Sequence, residues 1–219
     1  MAITAASVGV RLDDLRSRVE EAGGDWRRIT LVAVTKDFGR DAVTAAVQNG
    51  LIDLGENRAE DLRRKATMFA AERIRWHYLD RIQRGKVARL APFVGLWQAV
   101  DRLAAGEEIA ARAPEAAVLV QVNVSGEPQK HGCAPEDAPE LVAALESLAL
   151  DVRGLMAVGP TGPPEAARPG FRALASLADD LRLPVRSMGM TDDLHVAVQE
   201  GTTMLRIGRG LFGERPSTT

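Results

Sequence analysis

Cysteine occurs once in the 219 residues, at Cys133, so no internal disulfide can form and a reducing, cytoplasmic setting is expected. With no His–Asp pair to activate it, that thiol is read as a bystander. A large excess of charge of one sign is also missing. The formal net charge is −2, which gives no basic face for a nucleic acid or an acidic membrane. No apolar run approaches the roughly 20 residues that span a bilayer. The opening MAITAASVGVRLDDLRSRVEE has no basic start, continuous apolar stretch or small-residue cleavage site, so no signal peptide is expected. The three histidines, His77, His131 and His195, form no ligand pattern, and no metal is predicted. Walker, dinucleotide and nucleophile-elbow motifs are absent. The scarcest useful residue is lysine. Of 28 basic residues only Lys36, Lys65, Lys86 and Lys130 are lysines, and arginine cannot serve as an amine nucleophile.

What is present is an ordinary globular composition, 46% hydrophobic and 26% charged. Short β-rich runs alternate with longer amphipathic ones. Strands are predicted over 29–36, 51–56, 73–79, 96–101, 116–124, 150–158, 183–190 and 202–208, each followed by a helix. A further helix, over 4–22, precedes them and stops at Gly23-Gly24. Eight strands with a helix after each predict an α/β chain folded as a single (β/α)₈ TIM barrel over residues 1–219, with an extra N-terminal helix. Periodicity leaves an open doubly wound sheet as the alternative. The Pro/Gly segment 159–170 is read as a loop within the one domain.

In such a barrel the chemistry gathers at the carboxyl ends of the strands, and a phosphate docks on the loops after strands 7 and 8. Lys36 ends the apolar run Leu31-Val32-Ala33-Val34-Thr35, where partial desolvation can free its amine to attack an aldehyde; the commoner reading of such a position is a lysine that snorkels to solvent. Lys65 and Lys86 are assigned to solvated helix faces, and Lys130 to a polar loop able to meet an anion. Thr191, as N-cap of a helix, and Gly208, as a close-approach glycine, make a phosphate cup; the alternative is an ordinary cap and an ordinary turn. Arg206 projects from the last strand and needs a partner, either Glu56 or Asp80 or a bound pyridine nitrogen. His77, in the strand Trp76-His77-Tyr78, is read first as a hydrogen-bonded core residue.

Several ordered blocks then resemble one family, the pyridoxal phosphate homeostasis proteins, which look like the barrel domain of alanine racemase standing alone. They are LVAVTK, GEN at 55–57, WHYLDRIQRGK at 76–86, VNVSGEPQKHG at 122–132, GLMAV at 154–158, SMGMTDD at 187–193 and TTMLRIGRGLFG at 202–213. The resemblance implies pyridoxal 5′-phosphate (PLP) as cofactor, held as a Schiff base on Lys36. It places Met190, Thr191 and Gly208 around the phosphate, Arg206 opposite the pyridine nitrogen, and Asn57 and His77 in the same pocket. Asp80 stands where the family has glycine, Gly85 where it has asparagine, and Thr191 where it has serine.

An arginine facing the ring nitrogen keeps it unprotonated, which weakens PLP as an electron sink. Racemases of this type add a tyrosine from a second domain; here the one tyrosine is Tyr78, on a core strand. The expected function is therefore a monomeric carrier or buffer that passes PLP to dependent apo-enzymes, with no catalytic residue assigned. The alternatives are a small racemase-like or transaminase-like PLP enzyme, or a barrel enzyme acting on a phosphorylated metabolite without PLP.

Overall fold

The computed structural model describes residues 2–214. Eight parallel strands close into a barrel in the order β1 to β8, and β1 pairs with β8 through Thr30↔Met204 to Ala33↔Ile207. The open sheet left by periodicity is thereby excluded. The strands are β1 (Thr30–Val34), β2 (Asp53–Glu56), β3 (Arg75–Tyr78), β4 (Val94–Val100), β5 (Ala117–Gln121), β6 (Asp151–Met156), β7 (Val185–Ser187) and β8 (Met204–Ile207). Between and after them run α2 (Arg40–Gln48), α3 (Ala59–Met68), α4 (Arg84–Leu90), α5 (Leu103–Arg112), α6 (Ala138–Ser147), α7 (Arg168–Asp180), α8 (Leu194–Gln199) and α9 (Arg209–Phe212). The extra helix, α1 (Ala5–Glu21), starts in a capping box between Thr4 and Ser7 and packs on α2, α8 and α9. Among the described residues no helix is long and apolar enough to cross a membrane.

Toward their carboxyl ends the strands are mostly buried on both sides, because their residues alternate between two cores. Outward-facing Leu31, Ala33, Leu54, Trp76 and Trp97 pack beneath the helices in the large outer core. Inward-facing Val32, Leu96, Leu119, Met156 and Met204 form a second, smaller cluster that fills the barrel. Gly55 has to be glycine here: a Cβ would lie 2.6 Å from Leu79 Cδ1 and 3.0 Å from Val32 Cγ1.

Several strands end earlier than the sequence predicts. β1 stops at Val34, and Asp37 takes φ +65°, so Lys36 stands in the turn beyond the strand. β5 stops at Gln121, after which Val122 bridges to Cys133. β7 is three residues long and is followed by Gly189 at φ +96°.

Candidate functional site at the mouth of the barrel

A cavity of about 440 Å³ opens where the strands end. Its walls come from six strand ends. Lys36 follows β1, Asn57 follows β2, Arg206 and Gly208 belong to β8 and its end, and Met190 and Thr191 follow β7. Of the seven residues singled out in the sequence, these six line one cavity. His77 is the exception. It is fully buried lower in the barrel, hydrogen-bonded to Asp53 and Gln98, and is not among the lining residues.

Lys36 is the one lysine among those lining residues. The ground beneath it is fixed from outside the barrel by Lys65, whose ammonium donates to the carbonyl of Thr35 (2.8 Å) and to the Glu56 carboxylate. Thr35 Oγ1 donates to the same Glu56 oxygen (2.9 Å), and the Asn57 amide donates to the other (3.2 Å). Lys65 is buried, contrary to the expectation of a solvated helix face. It lies three residues after Leu62, on the stripe of α3 that packs against β2.

Arg206 is buried yet has no ion pair among the described residues, so neither Glu56 nor Asp80 is its partner. Nη1 donates to the carbonyl and hydroxyl oxygens of Ser187 (2.7 Å each) and Nη2 to the carbonyl of Ala157 (2.7 Å). Burial pulls its pKa down to about 10, with Asp193 the one acid acting on it through space. It stays charged at neutral pH with only neutral oxygens around it. A guanidinium held that way suits a ligand that brings a lone pair.

The other wall differs in detail from the expected helix cap. Thr191 does not start α8, which begins at Leu194 after Asp193. Its hydroxyl instead accepts from the Gly210 amide (3.0 Å), and its carbonyl accepts from Arg18 of α1 (2.7 Å). The Met190 amide donates to Asp193 Oδ1 (2.6 Å). Gly208 lies against β1, where a Cβ would sit 3.2 Å from the Val34 carbonyl oxygen. Thus α1, the loop after β7 and the turn after β8 are tied into one wall. Lys130 is engaged elsewhere, donating to the Gly159 carbonyl (2.5 Å) and pairing with Glu127. Gly85 sits in the first turn of α4 with open space around its Cα, so its departure from the family pattern distorts nothing there. Among the described residues no group of three or more His, Cys, Asp or Glu could hold a metal.

An amine and a buried guanidinium at the mouth of a closed parallel barrel define a class. Residues 10–216 match the family profile described as "Alanine racemase, N-terminal domain". Two curated relatives named "Pyridoxal phosphate homeostasis protein" are similar along nearly their whole length. The Pseudomonas aeruginosa protein is 39% identical over 209 residues, covering 92% of this chain and 91% of that one. The Aquifex aeolicus protein is 36% identical over 216 residues, covering 93% and 95%. PipY of Synechococcus elongatus, solved without and with PLP, superposes with TM-scores of 0.85 and 0.81 at 29% identity, over 94% of this chain and 100% of that one. The chain belongs to the family of pyridoxal phosphate homeostasis proteins, built on the alanine racemase N-terminal-domain barrel.

Proposed function

We propose that this chain binds PLP reversibly through Lys36 and serves as a monomeric cytoplasmic carrier and buffer that hands the cofactor to dependent apo-enzymes. The observation that supports it best is the pairing, in one cavity, of Lys36 with a buried Arg206 that has no ion-pair partner among the described residues. When bound, PLP supplies an aldehyde that an amine holds as an imine with loss of water, and a ring whose electron-withdrawing power depends on protonation of its nitrogen. Arg206 can only donate, so it would receive an unprotonated ring nitrogen and leave it so. Met190, Thr191 and Gly208 would meet the phosphate, and Asn57 the remaining edge of the pocket.

The same residues speak against racemisation. Tyr78 is not among the lining residues, and burial pushes its phenol up to about 12, which makes it a poor second acid/base group. The decisive experiment is a PLP titration of wild type beside Lys36→Ala. A visible band should form only with Lys36 present, and borohydride should fix the label on that residue in a peptide map. A label on Lys65, Lys86 or Lys130, or no band at all, would reject the assignment. Exchange of the α-proton of added amino acids in heavy water would favour the enzyme reading instead.

A further inference from the structure

Inside the barrel, below the cavity, polar side chains stand in single file. Asp53 Oδ1 is 2.7 Å from His77 Nε2, His77 Nδ1 is 2.6 Å from Gln98 Nε2, and Gln98 Oε1 accepts from Ser187 Oγ at 2.7 Å. Ser187 Oγ in turn accepts from Arg206 in the cavity wall at 2.7 Å. At the far end Asp53 takes two bonds from Arg75, at 2.5 and 2.9 Å, and Arg75 reaches the surface. All the members between are buried.

The two ends dictate the direction of every bond. Arg206 has only protons to give, so Ser187 must receive one and pass its own to the Gln98 oxygen. That turns the Gln98 amide nitrogen toward His77 Nδ1, which therefore accepts, and puts the ring proton on Nε2 facing the Asp53 carboxylate. This assignment of the amide and the tautomer is the one arrangement that satisfies all the contacts. The Gln98 amide nitrogen also lies 3.2 Å from Met204 Sδ, so neither end of that amide is idle. Break the file at Gln98 and the Ser187 hydroxyl proton loses its acceptor, so nothing fixes the orientation of that hydroxyl beneath Arg206.

We infer that Gln98 and His77 are positioning residues for Arg206, holding its guanidinium toward the cavity through the Ser187 hydroxyl. The inference deepens the proposed function and rests on it insofar as the group received by Arg206 is the PLP ring. The charged groups facing His77 are Asp53 from β2 and Arg75 from β3, and both belong to the file.

The test uses the full chain as wild type, Gln98→Met, Gln98→Glu and Ser187→Ala. In the apo-proteins, NMR reads the exchange of the Arg206 guanidinium protons and the tautomer of His77. Exchange should quicken at least about tenfold in Gln98→Met and Ser187→Ala, the scale of one buried hydrogen bond. It should stay slow in Gln98→Glu, which keeps the oxygen facing Ser187 and converts His77 to the doubly protonated ring. PLP should bind about tenfold more weakly to Gln98→Met and Ser187→Ala, with a shifted pH profile of the visible band. It should bind Gln98→Glu nearly as wild type. A merely structural Gln98 would lower thermal stability in both Gln98 variants and leave exchange, affinity and pH profile alone; that result overturns the inference. If Gln98→Met does not fold, Ser187→Ala decides by the same readouts. If wild type shows no Lys36-dependent band, the PLP reading fails, and the exchange data still uphold or reject the positioning of Arg206.

Discussion

The ammonium of Lys65 and the carboxylate of Glu56 form an ion pair from which solvent is excluded, with side-chain exposures of 4% and 0%. The pair lies outside the barrel wall, yet its remaining bonds go to Thr35 and Asn57, the residues that precede and form the cavity's lysine and amide walls. Removing one partner strands a buried charge, which costs about 3–5 kcal/mol, whereas removing both costs much less. Lys65→Met should therefore be strongly destabilised in urea titrations, and Lys65→Met/Glu56→Leu should recover most of the loss. Equal losses in the single and double variants would show that the pair's charge is already satisfied by solvent.

The Arg18 bond to the Thr191 carbonyl is the only one of its kind from α1 to the cavity wall among the described residues. Arg18→Ala should loosen that wall without opening the core. PLP affinity should fall by roughly 3- to 10-fold, the worth of one charged hydrogen bond at a partly exposed site, while the urea midpoint stays nearly fixed. A change in midpoint with unaltered affinity would assign Arg18 to the fold alone.

Arg206→Gln keeps a donor in the cavity but removes the charge. Affinity for PLP should drop by about 10- to 100-fold, on the scale of a hydrogen bond to a charged group. The apo-protein should lose little stability, since shedding a buried charge that has no ion pair among the described residues offsets the lost bonds to Ser187 and Ala157. Fluorescence titration and thermal melts separate the two effects.

Acid should weaken the fold by way of His77 and Asp53. Burial holds the His77 imidazole below its ordinary value of 6.5, despite its bond to the Asp53 carboxylate. As pH falls below 6.5 the unfolded chain takes up a proton that the native ring refuses, so stability declines from there toward the folded value. Burial raises Asp53, but the bonds from His77 and Arg75 outweigh it and hold the carboxyl below 3.8, so a second loss sets in under that pH. His77→Gln, measured by urea unfolding from pH 7.5 to 5, should show a flatter decline than wild type. An equally steep decline would place the titrating group elsewhere.

The barrel was legible because its strands and helices have different periods, and eight alternations leave few other closures. The mouth of the cavity was legible for a related reason: Lys36, Thr191, Arg206 and Gly208 stand at the ends of apolar runs. The polar file was missed, although its signal was present. Asp53, His77, Gln98, Ser187 and Arg206 each interrupt an apolar strand, and strand parity would have turned them all inward. What sequence could not supply was the relative height of neighbouring strands, which sets who touches whom and makes Ser187 and Ala157, rather than Glu56 or Asp80, the partners of Arg206. Lys65 was misjudged because Arg63 and Arg64 beside it are exposed. Helical spacing from Leu62 carries the opposite message.

The cavity draws its walls from both ends of the polypeptide: Lys36 from the first strand's turn, Gly208 from the last strand's. These meet across the seam where β1 joins β8. Any molecule lodged there works as a clasp on that seam. It adds its binding free energy only to chains that have completed the ring, so occupancy shifts the population toward finished barrels and gives nothing to a chain still lacking its final strand.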